Sequence, residues 1–207
     1  MKLPRLYPII DLDISTHSLE LLVTEFAAAG LSWVQLRDKK ANSRQLLANA
    51  QRLVALASQH GLRAIVNDRA DIAWLSGADG VHVGQDDLPV GLARTIMGPG
   101  KIVGHSTHSL AQALEAEQTE ADYVAIGPVF ATTSKVNPDP IVQREELREI
   151  RRRIKKPLVA IGGITSENAT RLFELGVDSV AVIRDLLCAE NVPLKIRQFL
   201  KAAGEAS

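Results

Sequence analysis

The sequence predicts an α/β protein, a single (β/α)8 TIM barrel with a parallel eight-stranded core over residues 1–207. Three observations carry this. First, one segment type occurs four times: Gly30-Leu-Ser-Trp-Val-Gln-Leu36, Gly77-Ala-Asp-Gly-Val-His-Val83, Glu120-Ala-Asp-Tyr-Val-Ala-Ile126 and Gly176-Val-Asp-Ser-Val-Ala-Val182. Each reads as a helix end, a C-cap position, a short turn and a strand. Their starts are spaced by 47, 43 and 56 positions, enough for two βα units per period. Second, four more short apolar runs lie between or before them, which brings the strands to eight. Third, these runs do not alternate apolar with polar, so both faces are buried, as in parallel strands covered by helices. A doubly wound open sheet is the alternative. No Pro/Gly/Ser linker divides the chain.

In chain order, Leu6-Tyr-Pro-Ile-Ile10 is the first strand, and the second ends at Leu36. From Ser43, read as an N-cap, Leu46, Leu47, Ala50, Leu53, Val54 and Ala57 fall on one helical face. Arg63-Ala-Ile-Val66 is the third strand, and the fourth ends at Val83. Lys101-Ile-Val-Gly104 is the fifth, and Tyr123-Val-Ala-Ile126 is the sixth, stopped by Gly127-Pro128. A long loop with Pro138 and Pro140 follows and is read as a lid. Arg148 to Lys156 is dominated by charge and reads as the solvated face of an outer helix. Leu158-Val-Ala-Ile161 is the seventh strand. After Thr165, Ala169, Leu172 and Phe173 share a helical face, and the eighth strand ends at Val182.

Composition narrows the function. With 46% hydrophobic and 23% charged residues the chain reads as one soluble domain. Lys plus Arg and Asp plus Glu number 24 each, so no global field recruits nucleic acid or an anionic membrane, and a small local ligand is expected. Cys188 is alone, which excludes an internal disulfide and a multi-cysteine metal site, and is read as a small buried apolar residue. No signal-like h-region or bilayer-length apolar run is present, so a cytoplasmic location is expected. Outer barrel helices pack on a partner or on water with similar patterns, so oligomeric state is not read from them.

Barrels of this type carry their sites at the C-terminal strand ends, and polar residues gather there. Gln35-Leu36-Arg37-Asp38-Lys39 follows the second strand, Asn67-Asp68-Arg69 the third, Gly84-Gln85-Asp86-Asp87 the fourth, and His105-Ser106-Thr107-His108 the fifth. The sixth is followed by a loop with Thr132, Thr133, Ser134 and Lys135, suited to an anion. The seventh gives Gly162-Gly163 and the eighth Ile183-Arg184, a place where barrels hold phosphate on backbone amides. Asp68 and Asp87 offer two hard oxygen ligands of the kind Mg²⁺ uses alongside waters and substrate oxygens; helix N-capping is the competing use. Arg37, Lys39 and Lys135 would clamp phosphate charge, with ordinary exposure as their alternative. Arg184 either adds charge at the glycine pair or bridges Asp185. His105 and His108 are acid/base candidates; His82, inside a strand, is read as a core histidine. Two anion sites, one of them metal-assisted, suggest a transfer in which diphosphate leaves.

The set Gln35-Leu-Arg-Asp-Lys39, Asn67-Asp-Arg-Ala-Asp71, His82-Val-Gly-Gln-Asp-Asp87, Gly104-His-Ser106, Gly127-Pro-Val-Phe-Ala-Thr-Thr-Ser-Lys135 and Ile161-Gly-Gly163 resembles the thiamine phosphate synthase family in order and spacing, from the second strand to the eighth. That resemblance implies a transferase joining 4-amino-2-methyl-5-(diphosphooxymethyl)pyrimidine to a thiazole phosphate, with diphosphate released. It implies Mg²⁺ on Asp68 and Asp87. It places the pyrimidine diphosphate among Gln35, Arg37, Lys39, Asn67, Ser106 and Lys135, and the thiazole phosphate at Thr132, Ser134, the Gly163 backbone and the Ile183-Arg184 turn. Leu36, Asp38 and Thr133 fall within the same substrate-binding runs. Arg37, Ser106 and Lys135 are the implied catalytic residues of a dissociative mechanism without a protein nucleophile.

Three positions depart from the family pattern: Ser134 for Thr, Ala131 for Pro and Arg184 for Ser. A tautomerase paralogue would carry His where Pro128 stands. A sugar-phosphate epimerase would need acid/base groups facing one carbon. A precursor-binding protein would lack a metal carboxylate or Lys135.

Overall fold

The computed structural model describes residues 3–134 and 139–205, so Lys135 and Pro138 lie outside the described residues. Eight parallel strands close into one barrel in sequence order: β1 Leu6–Asp11, β2 Trp33–Arg37, β3 Arg63–Asn67, β4 Gly80–Val83, β5 Ile102–Thr107, β6 Tyr123–Ile126, β7 Leu158–Ile161 and β8 Ser179–Val182. The open-sheet alternative is thereby excluded, since β1 pairs with both β2 and β8. The fifth strand is longer than its sequence suggests: it runs through His105, Ser106 and Thr107, which pair with β6.

Around the barrel lie α1 Leu19–Ala28, α2 Ser43–Gln59, α3 Ala70–Ser76, α4 Val90–Met97, α5 Leu110–Glu117, α6 Arg144–Arg153, α7 Ala169–Phe173, α8 Arg184–Leu187 and α9 Val192–Ala202. Helix α2 is capped by Asn42 rather than Ser43. Its side chain accepts from the Gln45 amide, and Gln45 reaches back to the Asn42 N–H, a reciprocal capping box. In α6, Glu145 and Glu146 sit in the first turn and Arg151, Arg152 and Arg153 in the last, each sign at the end the helix dipole favours. The run from Arg148 to Lys156 is not simply a solvated face. Arg151 donates to the Asp178 carboxylate and the Ile154 carbonyl, and Lys156 to the carbonyls of Ala116 and Thr119. These charges close the lower rim between neighbouring βα units.

Strand residues divide by the period of two into two cores. Outward side chains such as Val34, Leu36, Val66, Val81, Val103, Val124, Leu158 and Val180 pack under the helices. Inward ones, among them Tyr7, Ile9, Trp33, Ile65, Ile102, Tyr123 and Val159, fill the lower barrel. Tyr7, Trp33 and Tyr123 meet edge to face, with ring centroids 5.8–6.1 Å apart. This aromatic plug closes the lumen from below and leaves the C-terminal end open.

Candidate active site

Above the aromatic layer the barrel opens into a cavity of about 690 Å³, walled by the C-terminal ends of the strands and the loops after them. Gln35, Arg37, Lys39, Asn67, Asp68, Asp87 and Ser106 line one side. Thr132, Thr133, Ser134, Gly163, Ile183 and Arg184 line the other. Residues spread over about 150 positions of sequence thus share one space, because all eight strands point the same way.

The two aspartates are not helix caps. Helix α3 begins after Arg69 and α4 after Pro89, and neither helix has a side-chain cap. Asp68 adopts a left-handed backbone (φ 66°), uncommon for a residue with a side chain and a recurrent feature of functional sites. Its carboxylate pairs with Lys39. Asp87 accepts from the Gly84 amide at 2.7 Å, which closes the β4 loop. Burial pushes the Asp87 carboxyl above its ordinary range; the Gly84 amide opposes this, and the charge of Asp68 and a hydrogen bond shared with it push it further up. Two carboxylates held this close are relieved by a cation. Among the described residues no cluster of three or more His, Cys, Asp or Glu side chains could hold a metal. Two hard oxygen donors beside open space therefore fit Mg²⁺, which keeps waters and takes substrate oxygens, and do not fit a closed zinc site.

Arg37 is held by a partner not singled out from the sequence. Asp11, at the end of β1, is fully buried and its carboxylate pairs with the Arg37 guanidinium, which also donates to the Ser134 carbonyl at 3.5 Å. The pair fixes Arg37 at the cavity wall and links β2 to the loop after β6.

The thiamine monophosphate synthase family (TMP-TENI) matches residues 6–186. The chain belongs to this family. A thiamine-phosphate synthase of Koribacter versatilis is 47% identical over 192 residues, covering 90% of each chain. One of Chloroflexus aurantiacus is 42% identical over 196 residues, covering 94% of this chain and 90% of its own. The solved thiamine phosphate pyrophosphorylase of Pyrococcus furiosus superposes with a TM-score of 0.86 at 36% identity, covering 97% of this chain and 95% of that one. The chain is thus a transferase of thiamine biosynthesis. No helix among the described residues is long and apolar enough to cross a membrane.

In this member of the thiamine monophosphate synthase family, the run from Gln35 to Lys39 splits by strand alternation. Gln35, Arg37 and Lys39 face the cavity. The Leu36 side chain is buried outward under the helices, and Asp38 turns to the Ala41 amide and the Asn49 amide nitrogen. Neither side chain lines the cavity, so the substrate-binding role expected of Leu36 and Asp38 has no side-chain contact to rest on. His105 likewise points away from the cavity, whereas His108 lines it and bonds the Gly127 carbonyl. Asp185 pairs with Lys195 rather than Arg184, which lies exposed at the cavity edge. Cys188 is exposed, not buried, at the end of the short helix α8.

Gly162 and Gly163 have a structural reason of their own. Gly163 has φ +63°, and a Cβ there would stand 2.2 Å from the Ala131 carbonyl oxygen; one on Gly162 would meet Pro128 at 2.5 Å. The glycines let the β7 loop lie against the β6 loop, where the Val129 amide donates to the Ile161 carbonyl and that of Phe130 to Gly162. Gly163→Ala is expected to displace the loop carrying Thr132 and Ser134, raising the KM for a phosphate ligand about tenfold or more while the barrel stays folded. Steady-state kinetics with circular dichroism check this.

His82 is a core histidine with both nitrogens bonded, to the Tyr123 hydroxyl at 2.9 Å and to Ser106 Oγ at 2.8 Å, yet it also lines the cavity floor. Burial, with a smaller contribution from His105, pushes its pKa down to about 4. The unfolded chain takes a proton at the ordinary histidine value near 6.5 that the folded chain refuses. Stability attributable to His82 is therefore full above pH 6.5 and falls by up to about 3 kcal/mol as pH drops towards 4. Urea unfolding from pH 7.5 to 4 is expected to show this slope, and His82→Gln to lack that share of it.

Proposed function

We propose that the chain joins 4-amino-2-methyl-5-(diphosphooxymethyl)pyrimidine to a thiazole phosphate, forming thiamine phosphate and diphosphate in the cytoplasm. The observation that supports this most is the closely spaced Asp68–Asp87 pair within a single cavity ringed by Arg37, Lys39, Asn67 and Ser106, in a chain of this family. Asp68 and Asp87 would hold Mg²⁺, which when bound supplies positive charge against the departing diphosphate.

The protein side chains do the rest. Lys39 and Arg37 add positive charge on the diphosphate side, and Asn67 and Ser106 offer hydrogen bonds there. Lys135, outside the described residues, is assigned to the same diphosphate by the family pattern. Thr132, Thr133, Ser134, the Gly163 backbone and the Ile183-Arg184 turn are assigned to the thiazole phosphate, where Arg184 brings a charge that a serine would not. The bond from the pyrimidine methylene carbon to the diphosphate oxygen breaks, and its electron pair leaves with diphosphate. The thiazole nitrogen lone pair forms the new bond to that carbon. No proton transfer and no protein nucleophile are required, consistent with Cys188 lying outside the cavity lining. The ligands are small molecules alone, since a formal charge of zero gives no field for nucleic acid or a membrane surface.

The test is product analysis. Protein, Mg²⁺ and both substrates are expected to yield thiamine phosphate, and omission of either substrate to yield none. Consumption of one substrate alone would overturn the reading.

A further inference from the structure

Five inward-facing side chains from five strands form an unbroken hydrogen-bonded chain across the barrel floor. The Gln35 amide nitrogen donates to the Tyr7 hydroxyl at 2.9 Å. The Tyr7 and Tyr123 hydroxyls are 3.2 Å apart, Tyr123 meets His82 Nδ1 at 2.9 Å, and His82 Nε2 meets Ser106 Oγ at 2.8 Å. Tyr7 is 1% exposed, Tyr123 0% and His82 6%. The fold makes room for this chain: a Cβ on Gly104 would stand 2.1 Å from the Tyr123 ring and 2.5 Å from His82 Nδ1, so only glycine lets the two rings pass over β5.

We propose that this chain is one-way, and that Tyr7, Tyr123 and His82 are positioning residues that present the Ser106 hydroxyl to the ligand as a donor. A phenol has one proton to give. Tyr7 accepts from Gln35, so its proton goes to the Tyr123 oxygen. The Tyr123 proton then goes to His82 Nδ1, which leaves the imidazole proton on Nε2. That proton is donated to Ser106 Oγ, and the serine hydrogen is turned to the cavity. Gln35 Oε1 and its second N–H remain for a ligand at the other end. Burial pushes both phenols well above their ordinary range, so neither ionises near neutral pH to break the direction. The identity of the oxygen that Ser106 meets, one of the diphosphate, rests on the proposed synthase reaction; the direction of the chain does not.

Two measurements on the full chain test this. The first is a ¹⁵N–¹H correlation spectrum of histidine-labelled protein at neutral pH, with the His82 signals assigned by their loss in His82→Gln. A protonated Nε2 and a bare Nδ1 are expected; a protonated Nδ1 would reverse the chain and overturn the proposal. The second is a double-mutant cycle. Tyr123→Phe is expected to lower kcat about tenfold with KM little changed, the loss of about one hydrogen bond, and to mix the His82 tautomers. In a Ser106→Ala background the same change is expected to cost nothing further. Equal losses in both backgrounds would mean a structural role only and would overturn it. Tyr7→Phe, which removes the same direction one step earlier, serves if Tyr123→Phe does not fold. A protein that makes no thiamine phosphate would sink the proposed reaction, while the tautomer would still decide the relay.

Discussion

Asp87→Asn is expected to abolish Mg²⁺-supported turnover, by at least about 100-fold in kcat/KM, with the melting temperature nearly unchanged. Asparagine keeps an oxygen to accept from the Gly84 amide, so the β4 loop stays closed. It removes the charge that stands against Asp68, and with it the demand for a cation. The variant should therefore bind Mg²⁺ weakly and be as stable as the parent or slightly more so. Titration calorimetry with Mg²⁺ and initial rates over a range of metal concentration check both halves. Full activity in Asp87→Asn would remove Asp87 from the list of metal ligands.

Arg37→Leu carries the second large effect, and it combines stability with function. The Arg37 side chain is 19% exposed and that of Asp11 is fully buried. Removing the guanidinium strands a carboxylate inside the protein, which typically costs about 3–5 kcal/mol. For a domain of this size the melting temperature should drop by roughly 10 °C. Activity should fall as well, because the same guanidinium faces the cavity and holds the Ser134 carbonyl. The double variant Arg37→Leu/Asp11→Leu separates the two: it should recover much of the stability and none of the activity. Recovery of both would make Arg37 structural.

The barrel was legible because its signals are local. Four copies of one helix-turn-strand segment and four more apolar runs place eight strands, and β4, β6, β7 and β8 keep the expected ends. The upper rim was legible for the same reason, since polar residues cluster where each strand stops. What sequence reading left out depends on direction across the lumen. Tyr7 and Tyr123 look like ordinary strand aromatics, and nothing along the chain shows that they touch each other, Gln35 and His82. Asp11 is invisible as the anchor of Arg37, because its partner lies 26 positions away on the next strand. Leu36 and Asp38 could have been set aside at once: the period of two that sends Gln35, Arg37 and Lys39 inward sends these two outward. The apolar run of the fifth strand ends at Gly104 and the polar His105-Ser106-Thr107 reads as loop, although a barrel top needs polar residues within its strands. The charged run after Arg148 has the pattern of a solvated face, and nothing in the sequence reveals that Arg151 meets the Asp178 carboxylate and Lys156 the Ala116 carbonyl of neighbouring units.

The most direct measurement is diphosphate release from purified protein given the pyrimidine diphosphate, the thiazole phosphate and Mg²⁺, with parallel reactions lacking one substrate or containing EDTA. Release that requires both substrates, stops with EDTA and matches thiamine phosphate mole for mole is the predicted result. Release that persists without the thiazole phosphate, or that EDTA leaves untouched, would contradict a metal-assisted transfer between the two sites of this cavity.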